Sequence, residues 1–430
     1  YAADVDGVLS TGHATGGPAL RGGPVLLTGR AMRDDKAGGD GWNEYRRALE
    51  VLNGELLRPK EEVACGLSRR DRRPEAHRVS GEFLRALGDP QRAYPSVHVT
   101  GTSGKGSVCW IAAHLLRAAG LRVGLHVSPY LQVATEKIWI DGRYIGGKGF
   151  ARIVERVART ARGYRTADCP ATVHGMASAA VAFEAFRRAR VDVAVVEACC
   201  GGRWDVTTHL RTRVAVVTTV GDDHRDVLGP TVLDVARHKA GILRRGAAGV
   251  SGVSGKPREM IRAEARRLGL ALQEIPTRGR NVGAANRELA EAAVRAFGVE
   301  PAAGVVVPPF PGRLEAVPGR PRVVLDIAHN EQKARGLVRS LPRGGGPEVL
   351  VGGVLRGKHP AALFRALATR FRRVVFTEPR VTGKPAYPAG TLRAALSGLF
   401  DETHAEPDAE RAVDLALRLA GRDGTVVVTG

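Results

Sequence analysis

Short apolar runs alternate with helical patterns along most of this 430-residue chain, and this alternation restricts the possible folds more than any other feature. The β-branched residues typical of buried strands fill the runs SVHVT, RVGLHV, DVAVVEA and RVAVVTTV. Helical patterns such as VCWIAAHLLRAAG and HGMASAAVAFEAFRRAR lie between these runs. Strands that alternate with helices form βαβ units. The sequence therefore predicts an α/β fold whose sheet is mostly parallel.

A second set of the same signals follows a proline-rich connection, VVVPPFPGR. The later runs RVVLDIA, EVLVGGV, RRVVFTE and GTVVVTG again alternate with helical patterns, over about 120 residues, which is a normal domain size. Residues 1–42 are rich in glycine and alanine and show weak periodicity. We therefore predict an unassigned leader over 1–42, a first domain over 43–298 and a smaller α/β domain over 299–430.

The net charge of +21 limits the partners that the chain can have. A positive field attracts nucleic acid, but it attracts phosphorylated and polycarboxylate substrates as well. The basic residues are scattered and only 5% of residues are aromatic, which leaves few surfaces for base stacking. We therefore expect anionic small-molecule substrates and no nucleic acid.

Other features favour a cytoplasmic enzyme. No apolar run reaches the roughly 20 residues that span a bilayer, and the N-terminal YAADVDGVLS lacks the basic start and apolar stretch of a secretory signal. The five cysteines show no C-x-x-C pairing, so neither a zinc site nor a disulfide framework is predicted. Reduced thiols and no membrane partner are therefore the expectation.

The stretch VTGTSGKGSV, residues 99–108, differs from a phosphate-binding P-loop by one inserted glycine. A predicted strand precedes it and a predicted helix follows it. A glycine-rich turn at a helix N-terminus directs backbone N–H groups and the positive end of the helix dipole at an anion. Lys105 would add a charge at the outer phosphates, and Ser107 would add an oxygen for Mg²⁺. Glycine is also common in plain strand-to-helix connections, so the loop by itself leaves both interpretations open.

This loop, G-T-S-G-K-G-S, resembles the G-T-x-G-K-G-S loop of the Mur ligase family, in particular of its folylpolyglutamate synthase and dihydrofolate synthase branch. Further segments resemble that branch in the same order over residues 43–430. They are LRVGLHVSPYL, EKIWIDGRYI, VVEACCGGRWDVTT, GDDHRDVLG, ARHKAGIL, FPGRLE and DIAHN. Several motifs in the correct order are far more specific than any one of them.

The resemblance implies a P-loop ATPase domain with a mostly parallel sheet and a smaller, Rossmann-like C-terminal ligase domain. It also implies an ATP- and Mg²⁺-dependent amide ligase that adds glutamate to a folate-type carboxylate. Such enzymes phosphorylate the carboxylate and an amine then displaces phosphate, so metal ions and fixed cations stabilise the negative charge. We expect a monomer whose partners are ATP, glutamate and the acid.

The matching motifs assign residues of the first domain to nucleotide and metal. Glu197 ends an apolar strand, where a carboxylate can meet Mg²⁺ and phosphate, although a strand-end carboxylate is often only solvated. Ser128 offers an oxygen to the metal, although a hydroxyl before proline also caps turns. The resemblance alone makes His224 a metal ligand and Lys239 a lysine whose carbamylated form supplies the oxygen that Mg²⁺ prefers. The resemblance implies that the catalytic residues are Lys105, Glu197, His224 and Lys239. It implies that the metal ligands are Ser107, Ser128, Glu197, His224 and Lys239. The nucleotide is expected to bind Gly101, Thr102, Ser103, Gly104, Lys105, Gly106 and Ser107.

Three residues of the second domain match motif positions expected to bind ATP. Arg313 of FPGR can hold phosphates through its forked guanidinium. Asp326 and His329 of DIAHN follow a predicted strand, where we expect them to face the nucleotide across a domain cleft. A surface loop after a strand is the plain alternative, and the agreement with the order of the family favours the functional interpretation.

The acceptor side departs from the family pattern. Tyr130 stands in place of the histidine of T-S-P-H-L, and His174 and Gly175 stand in place of the Phe-Glu pair of T-x-F-E. These changes concern the choice of acid more than the type of reaction. The nearest alternative is a ligase that joins a different acid to a different amine. A nucleotide-binding regulatory protein without ligase activity is an alternative of another class, and a P-loop kinase fits less well because it does not account for the later motifs.

Overall fold

A computed structural model describes residues 40–56, 73–164, 169, 171–222, 224–342, 344–381 and 385–430. The chain forms two compact units and passes from the first to the second between Val307 and Pro308. The leader predicted over 1–42 lies outside the described residues except for 40–42. Every helix in the described part of the chain is too short or too polar to cross a lipid bilayer.

The first unit is built on an eight-stranded sheet. Its strands are β1 (Ser96–Thr100), β2 (Val123–His126), β3 (Ile138–Ile140), β4 (Arg143–Tyr144), β5 (Val193–Glu197), β6 (Thr212–Val217), β7 (Ala248–Ser251) and β8 (Leu272–Glu274). They lie in the order β4-β3-β2-β5-β1-β6-β7-β8. Only β3 pairs antiparallel with its neighbours, and the remaining pairs are parallel. The carboxyl ends of β5, β1 and β6 therefore meet at one edge in the middle of the sheet.

Helices follow the strands of the first unit, as the alternation predicts. β1 and β5 are buried at every position, which is expected of central parallel strands with both faces covered. Phe183 and Phe186 are completely buried in the helix that precedes β5. The helices are α1 (Asp40–Leu49), α2 (Arg73–Ala86), α3 (Lys105–Ala118), α4 (Gly147–Ala161), α5 (Val173–Ala189), α6 (Arg225–Leu228), α7 (Val232–Ala240), α8 (Lys256–Leu268) and α9 (Val282–Ala296).

The stretch WNEYRRALEVLNGELL, whose spacing predicts a helix with Tyr45, Leu49 and Leu52 on one apolar face, is only partly α-helical. Helix α1 ends at Leu49, and a π-helical segment, Glu50–Glu55, continues it. Tyr45 and Leu52 of the predicted apolar face are buried, 2% and 4% exposed. The tyrosine hydroxyl accepts a hydrogen bond from the N–H of Ala134 at 2.8 Å. The apolar face thus packs as predicted, although the helix changes its type along its length.

The second unit carries a separate six-stranded sheet. Its strands are β9 (Glu315–Val317), β10 (Arg322–Leu325), β11 (Glu348–Gly352), β12 (Arg373–Phe376), β13 (Glu402–Ala405) and β14 (Thr425–Thr429). They lie in the order β13-β12-β11-β14-β10-β9, and only β9 is antiparallel. Its helices are α10 (Glu331–Ser340), α11 (Pro360–Ala368), α12 (Ala389–Leu396) and α13 (Ala409–Ala420). The predicted α/β class and mostly parallel sheets are confirmed.

Candidate active site

The glycine-rich loop joins β1 directly to the N-terminus of α3, which begins at Lys105. Gly104 has φ +85°, and a Cβ added there would lie 2.6 Å from Oδ1 of Asn286. A Cβ added to Gly101 would lie 1.9 Å from Oγ1 of Thr218. Both positions therefore require glycine, because neighbouring side chains approach them closely. Gly104 requires it also because its backbone is left-handed.

Hydrogen bonds to the segment after β6 fix the shape of this loop. The carbonyl of Ser103 accepts hydrogen bonds from the hydroxyls of Thr218 and Thr219, at 2.6 and 3.2 Å. The N–H of Ser103 donates to Oγ1 of Thr219 at 3.0 Å. The hydroxyl of Thr102 accepts from the N–H of Gly221 at 3.1 Å. The loop is thus held by the protein itself, with its backbone already curved around the start of α3.

Lys105, Glu197 and Ser128 meet at the carboxyl edge of the sheet. The ammonium of Lys105 lies 3.6 Å from Oε1 of Glu197 and donates to the carbonyl of Gly101 at 3.1 Å. The other carboxylate oxygen of Glu197 accepts the N–H of Ser128 at 3.0 Å. Glu197 is only 5% exposed. The predicted strand-end carboxylate is therefore a buried, paired group rather than a solvated one.

This arrangement fits a polyphosphate and a divalent cation. The N-terminus of α3, the loop N–H groups and Lys105 provide positive charge for phosphates. Glu197 provides carboxylate oxygens, the ligands that Mg²⁺ prefers. The hydroxyl of Ser103 is buried and has no hydrogen-bond partner among the residues that the structure describes. Such an atom is satisfied when a ligand or water occupies the site.

Lys239 lies inside the protein, near the segment that follows β5. It is 1% exposed on α7, which is unusual for a lysine. Burial raises the pKa of the Cys200 thiol, and the charge of Lys239 is among the effects that oppose this rise. A Cβ added to Gly202 would lie 3.3 Å from the carbonyl of Lys239. Lysines on helices are usually exposed, and Lys239 is an exception to that rule.

His224 and Ser107 are the other predicted metal ligands of the first unit, and their surroundings differ from those of Glu197. His224 is exposed at the start of α6, in a left-handed conformation with φ +48°. Ser107 is partly buried in the first turn of α3. Within the described ranges, no group of three or more His, Cys, Asp and Glu side chains is placed to hold a metal ion. The convergence of Ser107, His224 and Lys239 with Glu197 on one metal stays a prediction.

Arg313 and Asp326 lie together in the second unit. The N–H of Leu314 donates to Oδ2 of Asp326 at 3.0 Å. Burial raises the pKa of Asp326, whereas this hydrogen bond and the charge of Arg313 lower it. The guanidinium of Arg313 lies 5.6 Å from the ring centre of Phe310 and donates to the carbonyl of Gly312 at 3.3 Å.

His329 completes this group and is held as a neutral imidazole. Its Nδ1 lies 3.0 Å from the carbonyl of Ile327, and its Nε2 lies 3.0 Å from the ammonium of Lys333. A carbonyl can only accept and an ammonium can only donate, so Nδ1 carries the proton. Burial first, and then the charges of Lys333 and Lys358, hold the pKa of His329 well below its usual value. The group therefore contains the cations Arg313 and Lys333, which suit an anionic ligand, while the single N–H of His329 is used by the carbonyl of Ile327.

Some residues of the site carry no sequence signal that would have identified them. Asn286, Thr218 and Thr219 shape the loop from positions far along the chain, and no motif contains Asn286. Lys333 follows DIAHN by one helical turn. That spacing could have indicated its contact with His329.

Two family models match the chain. The Mur ligase middle domain matches residues 99–254, and the glutamate ligase domain of Mur ligases matches residues 312–430. The chain is 32% identical to the dihydrofolate synthase/folylpolyglutamate synthase of Mycobacterium tuberculosis, over 80% of this chain and 82% of that protein. It is 31% identical to the folylpolyglutamate synthase of Lacticaseibacillus casei, over 82% of this chain and 91% of that protein.

Solved structures of the same kind have a similar fold. The folylpolyglutamate synthase of Mycobacterium tuberculosis, complexed with ADP and AMPPCP, aligns with a TM-score of 0.76 and 28% identity, over 91% of this chain and 96% of that one. A bifunctional folylpolyglutamate synthase/dihydrofolate synthase with Mn, AMPPNP and L-glutamate bound aligns with a TM-score of 0.72 and 27% identity, over 82% and 90%. The order of motifs, the loop geometry and these similarities lead to one conclusion: the chain belongs to the Mur ligase family of ATP-dependent ligases, in its folylpolyglutamate synthase and dihydrofolate synthase branch.

Proposed function

We propose that this protein is an ATP-dependent ligase that joins glutamate to the carboxylate of a folate-type acid. The observation that carries the proposal is the ion pair of Lys105 with the buried Glu197, 3.6 Å apart, at the end of a loop preformed for phosphate. Relatives that are 32% and 31% identical to this chain are named for this activity, and one related structure binds a nucleotide analogue and L-glutamate together.

The chemistry follows two displacements. An oxygen of the acid attacks the terminal phosphorus of ATP, ADP leaves, and an acyl phosphate remains. The amine of glutamate then attacks the carbonyl carbon, phosphate leaves, and the nitrogen loses a proton to give the amide. Lys105 and the loop N–H groups hold the phosphates and stabilise the charge on the transferring group.

The metal in this proposal is Mg²⁺. We propose that Ser107, Ser128, Glu197, His224 and a carbamylated Lys239 hold it. Carbamylation would turn a buried cation into an oxygen ligand, which accounts for a lysine that is 1% exposed near this edge of the sheet. A bound Mg²⁺ neutralises phosphate charge and orients the transferring group.

Three residues of the second unit form a separate part of the proposal. We propose that Arg313, Asp326 and His329 bind ATP, and that the chain divides functionally into an ATP-binding domain over 43–298 and a ligase domain over 299–430. We also propose that the protein acts as a cytoplasmic monomer and without nucleic acid.

The test is a reconstituted reaction. The protein is incubated with ATP, Mg²⁺, L-glutamate and one acid, and both phosphate release and the mass of the product are measured. We expect release that requires all four components, a product one glutamate heavier than the acid, and no product with Lys105→Ala. Phosphate release with another acid and amine would favour the different-substrate ligase. ATP binding without release in any mixture would favour the regulatory protein.

The departures from the family pattern concern the identity of the acid. Tyr130, His174 and Gly175 differ from the family on the acceptor side, and a site built for one hydrogen-bonding pattern can discriminate by as much as ~10⁴-fold. We expect reduced folates to be used with a higher kcat/KM than dihydropteroate at fixed ATP and glutamate. Efficient use of dihydropteroate would show that these residues lie outside the pterin contacts.

A further inference from the structure

Lys137 is a cation that the proposed reaction does not yet use. It is the last residue of the 3₁₀ turn Ala134–Lys137, immediately before β3, and its side chain is partly buried. Its ammonium donates to Oγ of Ser178 on α5 at 2.7 Å and lies 5.9 Å from the ring centre of Tyr130. Both contacts are with neutral groups.

Among the described residues, the ammonium of Lys137 has neutral neighbours rather than a carboxylate. In the part of the chain that the structure describes, Lys137 forms no ion pair. The carboxylate of the adjacent Glu136 accepts the N–H groups of Leu131 and Val133, at 2.7 and 3.1 Å. Burial lowers the pKa of Lys137, and burial followed by the charge of Lys137 lowers the pKa of His174 to about 3. The surroundings are therefore a neutral imidazole, the Ser178 hydroxyl, the Tyr130 ring and the Cys199 thiol, whereas a cation removed from water ordinarily has a counter-charge.

The backbone places Lys137 beside the proposed reaction site. Its carbonyl accepts the N–H of Val127 at 3.4 Å, and the next residue, Ser128, donates its own N–H to Glu197 at 3.0 Å. Glu197 in turn pairs with Lys105. The charges of Lys137 and Lys105 both act on the thiol of Cys199, where they oppose the effect of burial on its pKa. Lys137 thus lies next to the segment that carries Ser128, whose N–H binds the carboxylate paired with Lys105.

We propose that Lys137, together with the hydroxyl of Ser178, binds a carboxylate of the acceptor acid and thereby determines which acids the enzyme accepts. This inference rests on the proposed function. Lys137 is a binding residue in it, and the ligand class is a carboxylic acid with an anionic group free to enter between β3 and α5.

Gly175 offers a way to supply the missing counter-charge from the protein. It lies one helical turn before Ser178 on α5, so the two residues share a face of the helix. A Cβ added to Gly175 would meet only side-chain atoms of Thr172, at 3.7 and 3.9 Å. A glutamate therefore fits there and favours the helix more than glycine does. Its carboxylate would compete with the acid for Lys137.

The experiment measures the affinity for folate and for folate with both carboxylates converted to amides, by calorimetry, together with the KM values for acid and ATP. Lys137→Met should weaken folate binding about 10- to 100-fold, as expected for a lost charge-assisted hydrogen bond, and leave the KM for ATP unchanged. It should bind the diamide as weakly as the wild type does, and Lys137→Arg should keep most of the affinity. Lys256→Met is the matched control, because Lys256 is exposed on α8.

A second pair of variants keeps the test independent of the folding of Lys137→Met. Gly175→Glu should weaken folate binding about tenfold or more, without lowering the unfolding temperature. Gly175→Gln, which adds similar bulk but no charge, should weaken it less. The inference would be overturned by an unchanged folate affinity in Gly175→Glu. It would also be overturned if Lys137→Met lost equal affinity for the acid and the diamide, or if it raised only the KM for ATP. A wild type that binds folate but never consumes ATP would instead refute the proposed ligase function.

Discussion

Replacing Lys105 with alanine should separate what this lysine does for stability from what it does for turnover. Two unit charges 3.6 Å apart attract by about 4–5 kcal/mol at an effective dielectric constant of about 20. Desolvation offsets part of this attraction, and breaking a buried pair leaves the remaining charge without its partner. We therefore expect Lys105→Ala to lower the free energy of unfolding by about 3 kcal/mol, while the protein stays folded and loses nearly all ATP-dependent turnover.

Tryptophan fluorescence gives a direct assay of the unit that contains this pair. All four tryptophans, Trp42, Trp110, Trp139 and Trp204, precede the boundary after Val307. Urea denaturation followed by their emission therefore reports on the first unit alone. The protein should be compared as wild type, Lys105→Ala, Glu197→Gln and the double variant.

The double variant decides whether the pair is responsible. Glu197→Gln keeps an oxygen for the N–H of Ser128 but removes the charge, so the double variant should be less destabilised than the sum of the singles by about 2 kcal/mol. Turnover should be lost in all three. Additive stability losses, or a Lys105→Ala enzyme with the ATP affinity and turnover of the wild type, would refute this reasoning.

Three further predictions follow from other residues of the first unit. Gly104→Ala should weaken ATP binding because the added Cβ would lie 2.6 Å from Asn286. Gly120 has a similar φ of +88° but open space around it, so Gly120→Ala should lower stability by about 1 kcal/mol and leave ATP binding unchanged. Equal ATP affinities of the two variants, measured by calorimetry, would contradict this. Burial, with the charge of Lys137, lowers the pKa of His126 to about 4. Between pH 6.5 and pH 4 the unfolded chain therefore binds a proton at His126 that the folded chain does not. The free energy of unfolding should fall by up to about 3 kcal/mol over this range. The same urea titrations should show a shallower fall in His126→Gln, and an equal slope would refute the role of this histidine. Lys239→Ala should lose most turnover and regain part of it when a small carboxylate is added. Arg237 is exposed, and Arg237→Ala should keep its turnover as the control. A distance of more than ~10 Å between Lys239 and bound phosphate, too far for metal coordination, would exclude the carbamate.

The central strands and the loop were predictable because their signals are local. β1, β5 and β6 are rich in β-branched residues and lie with β2 in the middle of the sheet, where β1, β2 and β5 are buried at every position. The glycines of the loop are required by its own backbone and by close neighbours. Glu197 follows from its place at the end of a strand, which topology alone brings to the P-loop edge.

The rest depends on contacts that no short stretch encodes. β7, β8 and β13 read AGVS, LQE and ETHA, and they are strands because a neighbouring strand offers hydrogen bonds rather than because of their composition. Lys137 and Ser178 are 41 positions apart, and Asn286 reaches the loop from α9. His224 carries a left-handed backbone that its sequence, GDDHRD, does not indicate.

The bond between Ser103 and Thr218 also has a consequence for biosynthesis. The two residues are 115 positions apart, which a ribosome covers in roughly 6–23 s. During that interval the glycine-rich segment has left the exit tunnel without the threonines that curve its backbone, and Asn286 is made later still. A nascent chain should therefore acquire nucleotide affinity abruptly and late, and ATP cannot act as a template for the early stages of its folding.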